Sequence, residues 1–285
     1  MSFPKSGRTW LRVLLGAAEA VRTGAALRRT SADWLRRDAP ELAGKPVLFT
    51  HALAELPGEP LAHVDLVLRY VADRTRVFLV RDPRDTVVSY YFQQIKRRRN
   101  DHGDVPAQLA DFVRHPFYGV DRINGVLNAM QAGFERGPGA GLLVSYEALH
   151  ADTPGTLAHV LRFLGAPPLE PAALGAAVDF GRFENMRAME SSGSLSGRLR
   201  PTDRKDAESY KTRKGTVGGF TSYLVDDDVE WMEERIRKTL VPAIGYATPG
   251  AAPATCERAA ELGPSARLRD RHAELSSPVG ELARE

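Results

Sequence analysis

The sequence predicts an α/β fold, a central parallel sheet flanked by helices, and three observations lead there. Short apolar runs of strand length stand at Val47–Thr50, Val77–Val80 and Leu142–Tyr146. Between them, apolar residues recur at helical spacing. Strands that alternate with such helices imply a parallel sheet covered on both faces.

The first predicted element is a helix beginning near Trp10-Leu11-Arg12-Val13-Leu14-Leu15, entered through the turn Pro4-Lys5-Ser6-Gly7. A turn of this kind should follow a central strand. Met1-Ser2-Phe3 is too short for one, so the first strand is expected to be truncated and the native start to lie upstream of Met1. Val47-Leu48-Phe49-Thr50 reads as a buried strand closed by His51. Val77-Phe78-Leu79-Val80 reads as a second, running into Arg81-Asp82-Pro83 at a helix start. Ile123, Val126, Leu127, Met130 and Phe134 mark a helix before the third strand, Leu142–Tyr146. Leu157, Val160, Leu161 and Leu164 mark the next, stopped at Gly165. Residues 191–209 are polar and rich in serine and glycine, which predicts a loop. Asp226 is expected to cap a helix carrying Val229, Met232, Ile236 and Leu240. The domain is drawn at residues 1–246. The remainder, 247–285, is rich in Ala, Pro, Arg and Glu and is expected to be a poorly ordered tail.

Composition narrows the function classes. A chain of 285 residues with 43% hydrophobic content suits one globular domain with a sizeable core. No apolar run approaches the roughly 18 residues of a membrane span. Arg8 and Arg12 interrupt any signal-like stretch, so the cytoplasm is the expected location. Cys256 is the single cysteine, which excludes an intrachain disulfide and a cysteine-rich metal site. The net charge of +3 gives no argument for nucleic acid, although clustered arginines suit a small polyanion.

Three separated motifs have that polyanion-seeking character. In the first, Lys5, Ser6, Gly7, Arg8 and Thr9 precede an amphipathic helix beginning at Trp10. Backbone amides and the dipole at a helix start favour an anion, and glycine permits close approach. The pattern G-x-x-x-x-G-K-[ST] of nucleotide kinases is absent from the chain. In the second, Arg81 ends a strand and Ser89 follows on the next helix, so a guanidinium fork and a hydroxyl can converge on one phosphate. In the third, Arg213, Lys214 and Gly215, with Gly218 and Gly219, form a basic flexible turn, and Lys211 adds charge. Taken singly, each has a plain alternative: a Pro-initiated turn, a solvated strand-to-helix connection, or a charged surface loop.

Together the motifs resemble those of the cytosolic-type sulfotransferases, over roughly residues 3–240. Phe-Pro-Lys-Ser-Gly-x-Thr-Trp is similar to that family's 5'-phosphosulfate loop. The resemblance implies Lys5 on the bridging oxygen of the leaving group, Ser6, Gly7, Arg8 and Thr9 on the 5'-phosphate, and Trp10 against adenine. Val-Arg-Asp-Pro-Arg-Asp-x-x-Val-Ser-Tyr-Tyr is similar to the 3'-phosphate motif, implying Arg81 and Ser89 as ligands, with the serine also meeting the loop lysine. Tyr90 and Tyr91 are expected to pack. Arg213-Lys214-Gly215 is similar to the late 3'-phosphate loop, although Gly219-Phe220 stands where the family often has Asp-Trp. Tyr146 and Phe183 match adenine neighbours, with core packing as the plain alternative.

Sulfuryl transfer to a hydroxyl needs a base, and histidine is matched to neutral pH. Among the seven histidines, His51 is best placed, at a predicted strand end facing the ligand crevice. The family's base lies in a Lys-Thr-His segment. Phe49-Thr50-His51 keeps the last two residues and lacks the lysine. His63, His102, His115, His150, His159 and His272 are read as surface or packing residues.

The resemblance implies a P-loop nucleotide-kinase-like sulfotransferase fold. It also implies an enzyme that uses 3'-phosphoadenosine 5'-phosphosulfate as co-substrate, with catalytic Lys5, His51 and Ser89 and no metal. The acceptor is expected to be a small hydroxyl compound, a moderately apolar alcohol or phenol, held by segments 52–65, 92–120 and 187–210. Two rivals stand beside this reading: a P-loop small-molecule kinase, and a catalytically impaired nucleotide-binding member of the same fold. A homodimer is an expectation without a motif, because Thr221–Val225 does not reproduce the family's dimer sequence although Glu230 remains.

Overall fold

The structure is a computed structural model that describes residues 1–55, 58–65, 74–97, 105–137, 139–197, 199–246 and 255–258. In chain order its elements begin with helices α1 (Arg8–Thr23) and α2 (Leu27–Arg36) and a two-residue hairpin of β1 (Glu41–Leu42) and β2 (Lys45–Pro46). There follow α3 (Ala52–Glu55), β3 (Arg76–Val80), α4 (Pro83–Arg97), α5 (Leu109–Arg114) and α6 (Val120–Arg136). Strand β4 (Gly141–Ser145) leads into α7 (Tyr146–Ala151), α8 (Thr153–Phe163), α9 (Pro171–Phe180) and α10 (Phe183–Ser192). Helix α11 (Asp226–Thr239) and strand β5 (Cys256–Arg258) complete the described fold.

The sheet is built on β3 and β4, which pair in parallel with Val77 opposite Leu142 and Val80 opposite Ser145. Alternation along these strands divides the core, since successive side chains point to opposite faces. Phe78, Val80 and Leu143 face one apolar cluster with α4, α6 and α11. Leu79, Leu142 and Val144 face the other with α1, α8 and α9. Each fully buried Leu or Val contributes about 1.5–3 kcal/mol relative to exposure. Both clusters sit on the same two strands, so the turns leaving Val80 and Ser145 are anchored from two sides.

The sheet departs from the all-parallel expectation at its edge. Cys256–Arg258, from the tail predicted to be poorly ordered, pairs antiparallel with β4. Residues 247–254 and 259–285 lie outside the described residues. The predicted strand Val47–Thr50 is not one: these residues form no ladder, and Leu48 is 39% exposed. Their apolar character serves contacts with neighbouring helices, as when Phe49 meets Trp34 edge-on. Near the start, Ser2 bridges Leu79 in parallel, and Ser2 N donates to Thr50 O at 3.2 Å, so a short segment stands beside β3 where the sequence expected a truncated strand.

Local signals explain several helix ends. Gly24 closes α1 in the left-handed region, with Ala25 N donating to Ala20 O at 2.8 Å. Ser145 caps α7 by accepting from Ala148 N, and Asp152 caps α8 by accepting from Gly155 N. Helix α8 ends at Phe163, just before the expected stop at Gly165. Asp226 is the first residue of α11, with Val225 at the cap position, so its carboxylate serves the helix dipole without a cap hydrogen bond. In the loop after α10, Leu195 and Leu199 are buried and tie the polar stretch to α1 and α2.

Candidate active site

A cavity of about 590 Å³ opens where α1, β3, α4, α7 and α10 converge with the loop at 211–219. Every site residue expected from the sequence except Ser6 lines it: Lys5, Gly7, Arg8, Thr9, Trp10, His51, Arg81, Ser89, Tyr146, Phe183, Arg213, Lys214 and Gly215. Ser6 lies within the same turn, 1% exposed, with its hydroxyl buried and unpartnered.

The first motif is a tight, unusual turn. Lys5 has φ 73° and Gly7 φ 94°, both left-handed. A Cβ on Gly7 would stand 2.7 Å from Cδ2 of Tyr146, so glycine is required twice, by backbone and by neighbour. The turn delivers Gly7 to the N-cap of α1 without a side-chain cap, leaving the first amides of the helix for another acceptor. Trp10 Nε1 donates to Gly181 O at 2.9 Å, and the indole meets Tyr146 edge-on, centroids 5.6 Å apart.

Arg81 occupies the middle of the site. It donates to Lys5 O at 3.2 Å and to Thr216 O at 3.4 Å, and lies over the Tyr146 ring at 4.2 Å. Its buried Nε has no partner among the described residues. Asp85, one turn into α4, pairs with it at 3.8 Å and accepts from Gly218 N at 2.8 Å and Phe220 N at 3.0 Å. Burial raises the Asp85 carboxyl above its ordinary range, against the pull of Arg81 and the two amides. Arg213 is held between Glu208 (3.1 Å) and the Tyr223 hydroxyl, over the rings of Phe92 and Tyr223, with the Lys214 ammonium also on Tyr223 at 4.2 Å. Gly215 (φ 66°) carries Phe183 directly against its backbone, where a Cβ would stand 2.4 Å from the ring.

These placements crowd positive charge around Lys5. Burial, then the nearby cations Lys211, Arg97, Arg81 and Arg213, lower its pKa to about 7. No hydrogen bond joins Lys5 to Ser89, the contact the resemblance implied; both side chains face the cavity without a described partner. His51 reaches the cavity although the strand expected to carry it is absent. Its Nδ1 lies 2.6 Å from Ser2 O. A carbonyl only accepts, so Nδ1 carries the proton and Nε2 is the acceptor nitrogen of the neutral ring.

Several lining residues escaped the sequence. His150, read as a surface or packing histidine, meets Gly215 O at 2.9 Å. Gln93 and Arg97 extend the cavity-facing side of α4, and the four-residue spacing after Ser89 was the available signal. Behind the lining, Glu190, fully buried on α10, accepts from Lys211 N (2.7 Å), Thr212 N (2.8 Å) and Thr212 Oγ1 (2.7 Å); these partners lie 21 and 22 residues further along the chain, so the local sequence gave no cue. Tyr90 and Tyr91 are buried, as packing residues are. Among the described residues of 52–65, none lines the cavity.

Known proteins are similar to this chain in sequence and in fold. Sulfotransferase 2B1 of Homo sapiens is 25% identical over 253 residues, which cover 84% of this chain and 65% of that protein. Cytosolic sulfotransferase 17 of Arabidopsis thaliana is 26% identical over 269 residues, covering 84% of this chain and 73% of its own. Among solved structures, retinol dehydratase in complex with retinol and PAP superposes with a TM-score of 0.54 at 19% identity, over 84% of this chain and 79% of that one. Mouse sulfotransferase SULT7A1 complexed with PAP does so with a TM-score of 0.51 at 18% identity, over 84% and 82%. These likenesses establish a sulfotransferase fold. A family model described as the sulfotransferase domain matches residues 1–242, which include every cavity-lining residue named above, and the chain belongs to that family.

Proposed function

We propose that the protein transfers a sulfuryl group from 3'-phosphoadenosine 5'-phosphosulfate to a hydroxyl of a small-molecule acceptor, with His51 as base. The observation that carries this reading is the convergence of three phosphate-seeking motifs on one cavity that also holds a histidine of defined tautomer.

The residues present fit the donor. Ser6 Oγ and Arg81 Nε are buried hydrogen-bonding atoms with no described partner, a costly state unless a ligand satisfies them. The close seating of Tyr146 on Gly7 leaves a cradle of bare backbone amides at the start of α1. Ser6, Gly7, Arg8 and Thr9 would hold the 5'-phosphate, and Arg81, Ser89, Arg213, Lys214 and Gly215 the 3'-phosphate. Trp10, Tyr146 and Phe183 would enclose the base. When bound, the donor supplies the sulfuryl group, whose bond to the phosphate-side oxygen breaks as the bond to the acceptor oxygen forms.

His51 Nε2 removes the acceptor proton, and Ser2 O, bonded to Nδ1, stabilises the resulting imidazolium. Protonated Lys5 faces the negative charge that develops on the leaving side, inside a cavity that weakens it least by solvent. The rest is positioning. The kinase rival shares phosphate affinity but has neither the G-x-x-x-x-G-K-[ST] pattern nor the family match.

Calorimetry of 3'-phosphoadenosine 5'-phosphate against ATP and AMP tests the donor assignment. Selective binding of the bisphosphate, weakened by Arg81→Ala and by Lys214→Ala, is expected; preference for ATP would overturn it. Near-normal turnover in His51→Ala would remove His51 as base.

A further inference from the structure

The residues assigned above to the donor leave part of the cavity lining unassigned. Asp85, Ser89, Gln93 and Arg97 stand on one face of α4 at four-residue spacing, and all line the cavity. Ser89 belongs to the donor under the function proposed above. Gln93 and Arg97 lie one and two turns further, about 6 and 12 Å along the helix axis. Gln93 is half-buried, and its amide has no hydrogen bond to a described residue. Arg97 is 13% exposed in its side chain and donates to Arg200 O at 2.7 Å and to Ser209 O.

The charge of this wall is positive. Glu190 meets Arg97 at 3.4 Å, but the same carboxylate also takes two backbone amides and the Thr212 hydroxyl, so its charge is divided among four donors. Lys211, whose amide is one of those four, brings a second cation to the wall. Asp85 is the one acidic residue among the described residues lining the cavity, and its oxygens are taken by Arg81, Gly218 N and Phe220 N. Lys211 and Arg97 also act on the Lys5 ammonium more strongly than Arg81 does, so the field of this wall reaches the reacting end. An apolar alcohol seated here would strip water from the Gln93 amide and give nothing back, and would lay an apolar surface against two cations.

We propose that the acceptor is an anionic hydroxyl compound, its negative group received by Arg97 and Lys211 and an oxygen between that group and the reacting hydroxyl received by Gln93. This rests on the sulfotransferase reading and replaces the moderately apolar acceptor that the sequence suggested.

The test uses the full chain saturated with 3'-phosphoadenosine 5'-phosphate, and compares 4-hydroxyphenylacetate with its neutral amide by calorimetry. Failure of the nucleotide to bind would overturn the donor reading itself, apart from any result with the phenols. With the nucleotide bound, the carboxylate is expected to bind about tenfold more tightly than the amide, the order of a charge-assisted contact. Lys211→Met is expected to bring the ratio towards one. Arg97→Gln should do the same, and because it disturbs the Glu190 pair its nucleotide affinity is measured alongside as a check on the fold. Gln93→Leu, a side chain with no partner to lose, is expected to weaken both ligands by about fivefold, the loss of one neutral hydrogen bond. Equal binding of acid and amide, binding of neither, or a preference unchanged in Lys211→Met would each overturn the proposal.

Discussion

On the proposed function, Lys5 is set to take up a proton when the donor nucleotide binds. Its pKa of about 7 in the free protein comes from burial and four neighbouring cations. At pH 7 the ammonium is therefore about half populated, against nearly all for an exposed lysine. Phosphate oxygens arriving beside it favour the charged form and raise the pKa again. The expected uptake by Lys5 is about 0.1 proton at pH 6, about 0.5 at pH 7 and about 0.9 at pH 8. Affinity falls as pH rises wherever protons are taken up, so this contribution weakens binding most steeply above pH 7. The free protein shows the opposite sense. Its unfolded chain holds the Lys5 proton up to the ordinary lysine range, so this residue destabilises the fold below about pH 7, and stability recovers as pH rises past it. Calorimetry of 3'-phosphoadenosine 5'-phosphate in buffers of different ionisation enthalpy counts the protons. Because the nucleotide's own phosphates titrate nearby, Lys5→Arg, which is charged throughout, provides the subtraction. The same uptake in both proteins at pH 6, 7 and 8 would refute the reasoning.

Other perturbations follow from the same geometry. His51→Gln should lower single-turnover rate by about 10²–10⁴-fold while nucleotide affinity stays within about twofold, read by quench and by calorimetry. Glu190→Ala unties Lys211 and Thr212 and leaves Arg97 without its carboxylate. It should cost about 3 kcal/mol of stability and narrow the bisphosphate-to-AMP affinity ratio, read by urea denaturation and titration. Gly7→Ala places a methyl 2.7 Å from the Tyr146 ring at φ 94°. It should cost about 1–3 kcal/mol and weaken 5'-phosphate binding, with AMP affinity as the readout.

What the sequence made legible was local. Each phosphate-seeking motif spans a few consecutive residues at a helix start or turn, so its chemistry and its backbone shape are written together: Gly7 and Gly215 need left-handed angles that glycine supplies. The strands Val77–Val80 and Leu142–Ser145 were legible because both faces are buried and the apolar run is unbroken. Val47–Thr50 has the same composition without a ladder, because its apolar side chains meet helices instead of strands, a choice made by tertiary contact. Glu190 and the Cys256–Arg258 strand were invisible for the same reason. Their partners lie far along the chain, at Lys211–Thr212 and at β4.

The three motifs are also one mechanical unit, which their separation in sequence conceals. Arg81 bonds the carbonyl of Lys5 in the first and that of Thr216 in the third. Asp85, its neighbour on α4, holds the amides of Gly218 and Phe220. Tyr146 lies under the Arg81 guanidinium, against Gly7 and beside Trp10. On the proposed function, removing Arg81 thus withdraws a phosphate ligand and also loosens the loops proposed to supply the others. Arg81 is tied to the loop of Lys214 through Thr216 O, and residues in one hydrogen-bond network couple by about 0.5–3 kcal/mol, so Arg81→Ala and Lys214→Ala should not add in their effects on nucleotide affinity. A double-mutant cycle measures this directly: the pair together is expected to cost less than the two singles combined, because the first change already frees the second residue's loop. Strict additivity would mean that the motifs bind as independent ligands held by the sheet alone.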